Sequence, residues 1–292
     1  MATPTELATV IDENDRYETL GLLIEGFNAP RSQRLAASRL LYRQCSAAAA
    51  YKATSTNHML ASIAGSVYSA LLYHDDPIQA RFAAQHAFKS GKAAGHHSAQ
   101  LWAAAAWSAC ARRLDDTQGA IDAIESVVDL NAERGTRGVF AATCLAEAYG
   151  DAGDAEGVRR SLELGSRLRD SVATDDEFAG MLFFSPEKER AHRAEALLGC
   201  GHYVEAVKYA GRSLEGYAKM PESHRLHGYM RFACITIAAA STRLGWFDQT
   251  EEYANRAVDR PLEPLFKPLQ VALAQANAPR LAAHIRDAVQ LS

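Results

Sequence analysis

The sequence is poor in proline, glycine and aromatic residues, and it has no long hydrophobic run. Nine prolines and 19 glycines among 292 residues leave few helix breakers, and aromatics make up only 8% although apolar residues reach 48%. Alanine accounts for most of that difference, and this composition is typical of a nearly all-helical protein. No apolar run approaches the roughly 18 residues that a membrane helix needs. We therefore expect no membrane partner.

Features of a secreted or nucleic-acid-binding protein are also missing. The net charge of −4 provides no basic surface, so direct nucleic-acid binding is not expected. The N-terminal stretch lacks the basic start and apolar core of a signal peptide, which predicts a cytoplasmic location. The five cysteines are widely spaced without a Cys-x-x-Cys pair. We interpret them as free thiols buried in helices.

No catalytic motif is present in the sequence. It contains no glycine-rich phosphate loop, no Gly-x-Ser-x-Gly and no His-Glu-x-x-His. His224 and His227 have a spacing that on one helix would place both rings on one face, but no further ligand follows at helical spacing. His96 and His97 are adjacent and would point in different directions. We therefore predict no catalytic residues, no metal and no cofactor.

A unit of two helices joined by a turn recurs along the chain, most clearly over residues 191–217. Small residues recur there where the two helices must come close. When the hairpins are aligned on their turns, successive turns lie 40, 38, 48 and 44 residues apart. Agreement of five such units predicts an all-α helical solenoid. The predicted turn residues are Asp75, Asp115, Gly153, Gly201 and Gly245, and the small residues five positions later are Ala80, Ala120, Val158, Ala206 and Thr250.

The repeats predict one long domain with a lead and a cap. Residues 1–31 are read as a loosely ordered lead with one short helix, and 32–292 as the repeat domain. A strong helix is expected from residue 32 to about residue 51. After three prolines, residues 278–291 form an amphipathic helix that would cap the last repeat.

The repeated pattern resembles the tetratricopeptide repeat. The resemblance is clearest in Tyr149-x-x-x-Gly153, Gly201-x-Tyr203-x-x-Ala206 and Gly245-x-Phe247. It departs from that family in its variable spacing and in lacking the usual proline at most repeat ends. The resemblance implies a right-handed superhelix of antiparallel helix pairs, with the first helix of each pair facing an inner groove.

Three segments are similar to the repeat-built sensor region of actinobacterial helix-turn-helix transcriptional regulators. They are residues 39–44, 80–94 and 187–201. About thirty residues precede the repeats, too few for a helix-turn-helix domain. The resemblance therefore implies a stand-alone sensor or adaptor linked to transcriptional regulation, without the DNA-binding domain.

Large aromatics recur at one groove-facing position of the first helices. Trp102, Phe140 and Phe232 hold this position, as anchors for an apolar ligand or as wedges between neighbouring helices. The adjacent Arg112 and Arg113 offer a guanidinium to an anion, or they complement the end of a helix. Both pairs of alternatives stay open at this point.

A long connection, residues 171–186, contains an apolar tetrad that either packs between repeats or lines the groove. The tetrad ends in Phe183 and Phe184. The full set of predicted groove residues is Tyr73, Trp102, Arg112, Arg113, Phe140, Thr143, Glu147, Phe183, Phe184, Lys188, Glu195, Phe232 and Arg243.

The function predicted from these features is a non-catalytic binding module. It would hold a peptide, a partner protein or a small effector in its groove, and a homodimer is left open. The alternative is an enzyme, or an enzyme accessory of specialised metabolism, with the groove as its active site.

Overall fold

The computed structural model describes residues 31–127, 135–170 and 184–257. Within these ranges every regular element is helical, which confirms the all-α prediction. The predicted lead, the connection over residues 171–183 and the cap at 278–291 lie outside the described residues. The α-helices in the described ranges are α1 Arg31–Tyr51, α2 Ser55–Leu72, α3 Pro77–Ala94, α4 His97–Arg113, α5 Thr117–Glu125, α6 Gly135–Asp151, α7 Ala155–Asp170, α8 Pro186–Gly199, α9 Tyr203–Ala218, α10 His227–Leu244 and α11 Phe247–Ala257.

The chain divides into two compact units. Among the described residues, the first contains 31–127, 135–144 and 168–170, and the second contains 145–167 and 184–257. In the first unit α1 to α5 pack in sequence order, and α2 also contacts α4. In the second unit α8 to α11 pack in sequence order, and α8 also contacts α10. Within each unit, packing between consecutive helices therefore dominates.

The turns of four hairpins share one backbone geometry. Asp115, Gly153, Gly201 and Gly245 have positive φ angles of 60°, 71°, 86° and 75°. The N–H of the next residue then donates to the carbonyl five positions earlier, which closes the end of the first helix. Glycine adopts this conformation without strain, and aspartate is among the few other residues that tolerate it. The turn at Asp75 differs, because the N–H of the following residue bonds only four positions back.

An aspartate begins the second helix of three hairpins in the same way. Its carboxylate accepts a hydrogen bond from the backbone N–H three residues later, at 2.9 to 3.0 Å. This bond satisfies one of the N–H groups that the first turn of a helix leaves without an acceptor. The capping residues are Asp76, Asp116 and Asp154.

Alanine forms much of the buried interior. The five small residues that follow the predicted turns, Ala80 through Thr250, are all no more than 2% exposed. Larger aliphatic residues complete each core, including Leu41 and Leu60 in the first unit and Ile235 and Ile237 in the second. Small side chains at these positions allow helix axes to approach closely.

Two glycines bring α6 and α8 together in the second unit. A Cβ atom on Gly150 would lie 2.6 Å from the carbonyl oxygen of Ala196, and one on Gly199 would lie 2.7 Å from the backbone of Gly150. Real Cβ atoms do not come so close to backbone atoms, so only glycine fits at either position. The two helices are therefore in backbone contact at their C-terminal ends, and this contact positions the site described below.

Candidate functional site

A group of polar and aromatic side chains surrounds His192 in the second unit. It is built by α6, α8 and α10 together with the residue that precedes the cap of α8. We call this group the His192 cluster, and its members are Glu147, Phe184, Lys188, His192, Tyr229 and Phe232.

His192 lies at the centre of these contacts. Its Nδ1 is hydrogen-bonded to Oε1 of Glu147, whose side chain is only 6% exposed. A carboxylate can only accept, so Nδ1 carries the proton and Nε2 is left to face the hydroxyl of Tyr229 at 3.4 Å. The rings of Phe184, Tyr229 and Phe232 surround the imidazole with centroid distances of 5.5, 5.6 and 5.7 Å. A hydrogen-bonded series therefore runs from Tyr229 through His192 to Glu147 inside an aromatic wall.

The local sequence explains how α8 presents Lys188 and His192 together. The hydroxyl of Ser185 caps the helix by accepting from the backbone N–H of Lys188 at 3.3 Å, and Pro186 fits the first turn because its missing N–H has no acceptor there. His192 follows four residues after Lys188, so the two side chains share one helix face.

Lys188 is a buried cation within this cluster. It is 1% exposed, and its Nζ lies 5.4 Å from the centroid of the Tyr229 ring. Burial disfavours the ammonium form, and it lowers the pKa of Lys188 from 10.5 to about 7. Strongly shifted groups of this kind are concentrated at functional sites, although structural networks also produce them.

Four of the residues predicted for the groove meet in this cluster: Glu147, Phe184, Lys188 and Phe232. Two other predicted residues lie elsewhere in the second unit. Glu195 is half-buried on α8, and the exposed Arg243 places its guanidinium 5.8 Å from the ring of Tyr203. The part that any of them plays in binding stays a prediction.

The aromatic pair of the first unit packs against the chain itself. Trp102 stacks on Phe140 with ring centroids 4.2 Å apart and an interplanar angle of 29°. Trp102 also packs against the buried cluster that contains Leu41 and Leu60, and Phe140 is 7% exposed. These contacts correspond to the wedge arrangement, and the role of this pair as a ligand anchor stays a prediction.

The other predicted residues of the first unit are dispersed. Arg112 and Arg113 are the last two residues of α4, where cations complement the helix dipole. Thr143 is buried, and its hydroxyl donates to the carbonyl of Val139 at 2.6 Å. Tyr73 is half-buried beside His74, with ring centroids 3.8 Å apart. Phe183 lies outside the described residues.

We expect Trp102→Ala to lower the free energy of unfolding by about 2 kcal/mol, because it removes a stacked ring from a packed cluster. Chemical denaturation followed by far-UV circular dichroism measures the change. Trp246→Ala is the matched control, since Trp246 is 45% exposed and its truncation should have little effect. Equal stability losses in the two variants would contradict the packing role of Trp102.

Sequence reasoning did not place His192 and Tyr229 in the site. The available signal was the spacing of Lys188 and His192, which puts an amine and an imidazole on one helix face. The two histidine pairs that were considered as metal ligands have other surroundings. His96 caps α4 by accepting from the N–H of Ala99 at 3.2 Å. A short 3₁₀ turn ending at His224 precedes α10, which begins at His227, so that pair does not share one helix.

Neither a metal-binding group of side chains nor a membrane-spanning helix is found in the described part of the chain. In residues 31–127, 135–170 and 184–257, no group of three or more His, Cys, Asp or Glu side chains is arranged to hold a metal ion. Across the same ranges, no helix combines the length and the apolar character needed to cross a membrane.

Comparison with known proteins gives no relative. No protein-family model, no curated protein and no solved structure matches the chain.

Proposed function

We propose that the chain is a non-catalytic binding module of the tetratricopeptide type. In this proposal antiparallel helix pairs form a right-handed superhelix, and the inner groove holds a small effector, a peptide or a partner protein. The module acts as a stand-alone sensor or adaptor linked to transcriptional regulation.

The packing order of the helices supports this proposal. In each unit the first helix of one hairpin contacts the first helix of the next, α2 with α4 and α8 with α10. In repeat solenoids each unit mainly contacts its neighbours, and first helices that lie side by side form a continuous inner surface. Occupancy of such a surface can bias the small rotations between neighbouring repeats.

The His192 cluster is the observation that carries the proposal. Its polar members come from the first helices of three consecutive hairpins: Glu147 from α6, Lys188 and His192 from α8, and Tyr229 from α10. A groove-facing surface of this architecture would place residues of successive first helices together in this way. Aromatic walls around a few polar groups are the usual composition of a small-molecule site. A small effector with one polar group is therefore the favoured ligand.

Native mass spectrometry of the protein purified from its own host tests this function. We expect a small mass or a peptide to remain bound to the wild-type chain and to be lost in Phe232→Ala, because that change removes one wall of the cluster. Phe82→Ala is the control, since Phe82 is 63% exposed in the first unit and should leave the bound mass unchanged. A chain without any retained mass, or equal retention in both variants, would argue against the proposal.

One observation favours the alternative that the site is catalytic. A lysine whose pKa lies at about 7, beside a hydrogen-bonded His192–Glu147 pair, has the groups needed for amine and proton-transfer chemistry. For an enzyme, metabolite turnover would be lost in His192→Gln and kept in His224→Gln, because His224 is exposed outside the cluster. Retained turnover in His192→Gln would remove the alternative.

A further inference from the structure

We infer that Lys188 binds carbonyl compounds covalently: its amine forms a reversible imine with an aldehyde or ketone whose body lies against the rings of Tyr229 and Phe232. This inference rests on the proposed binding function, since it uses the same cluster. It adds the chemical class of the ligand and the atom that holds it.

Lys188 differs from the other lysines in its surroundings. Every other lysine that the structure describes is exposed, whereas Lys188 is 1% exposed. An exposed ammonium remains almost fully protonated near neutral pH and cannot attack a carbonyl. Burial holds the pKa of Lys188 at about 7, so a large share of this amine is neutral under the same conditions.

The neighbours of the amine fit the two proton transfers that imine formation needs. Lys188 and His192 both meet the ring of Tyr229, with Nζ 5.4 Å from its centroid and the imidazole centroid 5.6 Å from it. The hydroxyl of Tyr229 faces Nε2 of His192, and Nδ1 of that ring is bonded to Glu147. A phenol and an imidazole that can donate and accept protons therefore lie in the same cluster as the amine.

The reaction balances without a co-reactant. The nitrogen of Lys188 attacks the carbonyl carbon, a C–N bond forms, and the carbonyl oxygen becomes the hydroxyl of a carbinolamine. The nitrogen loses two protons in all: one becomes the proton of the carbinolamine hydroxyl, and the other leaves with that hydroxyl as water. One amine and one carbonyl compound give one imine and one water. Hydrolysis reverses each step, so the ligand can be released.

His192 and Tyr229 are only partly enclosed, and we place the approach to the amine on their side. The side chain of His192 is 17% exposed and Tyr229 is half-buried, whereas Phe184 on another side is fully buried. In this proposal the carbonyl group reaches Nζ from that side, and its apolar body stays against the rings of Tyr229 and Phe232. Aromatic rings pack favourably against flat apolar groups.

Reductive trapping tests the inference on the full chain. The protein is treated with benzaldehyde and sodium borohydride at about pH 7, and peptide mapping by mass spectrometry locates the benzylated lysines. We expect Lys188 to be modified on the order of tenfold faster than the exposed Lys208 and Lys219, because burial lowers the pKa of Lys188 and leaves a large share of its amine neutral. The rate at Lys188 should level off above about pH 7, whereas an ordinary lysine keeps gaining rate up to about pH 10.

Two controls separate this inference from the binding function. In guanidinium chloride the preference for Lys188 should disappear, because unfolding restores an ordinary lysine. Lys188→Arg should abolish selective labelling, whereas Lys208→Arg should leave it intact. Uniform labelling of the native chain, or slower labelling at Lys188 than at exposed lysines, overturns the inference. A native ligand that Lys188→Arg retains undiminished also overturns it, while leaving the proposed binding function in place.

Discussion

Lys188→Met is expected to stabilise the protein at neutral pH and to remove most of a rise in stability at alkaline pH. The side chain of Lys188 is 1% exposed, and methionine fills a similar elongated volume without a charge. Replacing a buried charge with an apolar side chain of similar volume is often neutral or stabilising. The expected gain below about pH 7 is on the order of a few kcal/mol, the scale of a shift of several pKa units.

The pH dependence follows from the two states of the lysine. The pKa of Lys188 is about 7 in the folded chain, and its ordinary value is 10.5. Between these values the unfolded chain binds more protons than the folded one, so the free energy of unfolding rises with pH. Below about pH 7 both states are protonated, and the folded protein bears the full cost of a buried ammonium. Near pH 10.5 the wild type and Lys188→Met should approach equal stability.

Denaturant titrations at several pH values measure this effect. Lys208→Met is the matched control, since it removes an exposed lysine from α9 and should leave the slope with pH unchanged. If the free energies of unfolding of the wild type and of Lys188→Met changed in parallel between about pH 7 and about pH 10, this would contradict the cost assigned to burying the Lys188 ammonium. Such parallel changes would also remove the support that a lowered pKa gives to Lys188 as a reactive amine.

A gain in stability on replacing Lys188 would indicate that this lysine is kept for function and not for folding. Proteins commonly carry destabilising groups where binding or chemistry requires them, and removing such a group exchanges function for stability. Under the proposed function, Lys188→Met should therefore gain stability and fail to retain the ligand expected for the wild-type chain. Joint measurement of the two properties on one variant distinguishes a functional lysine from an accident of packing.

The helices and most turns could be predicted from the sequence because the signals are local. Glycine at 153, 201 and 245 supplies the left-handed turn conformation, and small residues five positions later mark the buried face. The helix expected from residue 32 to about 51 is observed as Arg31–Tyr51. The turn at Asp75 lacks the backbone geometry of the others, and the shared spacing alone could not reveal this difference.

The candidate site could be predicted only in part, because it depends on contacts between distant helices. Repeat alignment selected Glu147, Lys188 and Phe232 one by one as groove positions. That they meet around His192 depends on the rotation of each helix and on the backbone contact of α6 with α8. Sequence patterns fix the period of a helix more sharply than its rotation. The burial of Lys188 could not be predicted either, because lysine is rarely buried.

Ala206→Glu is expected to destabilise the second unit by several kcal/mol. Ala206 stands five residues after the turn at Gly201 and is completely buried in α9, which packs against both α8 and α10. A glutamate there must bury a carboxylate without a designed partner and must also fit extra volume into a close-packed interface. We expect a large fall in the free energy of unfolding, with loss of the cooperative unfolding transition, when denaturation is monitored by far-UV circular dichroism.

Val204→Glu provides the matched control for this change. Val204 lies in the first turn of the same helix and is 54% exposed, so a carboxylate there stays hydrated and complements the helix dipole. Its stability should remain within roughly 0.5 kcal/mol of the wild type. Ala206→Gln separates charge from volume, because it keeps the size of glutamate without the ionised group. Equal free energies of unfolding for Ala206→Glu and Val204→Glu would contradict this prediction. The small residue after the turn would then not set the distance between helices. The repeat register on which the proposed binding surface depends would be wrong.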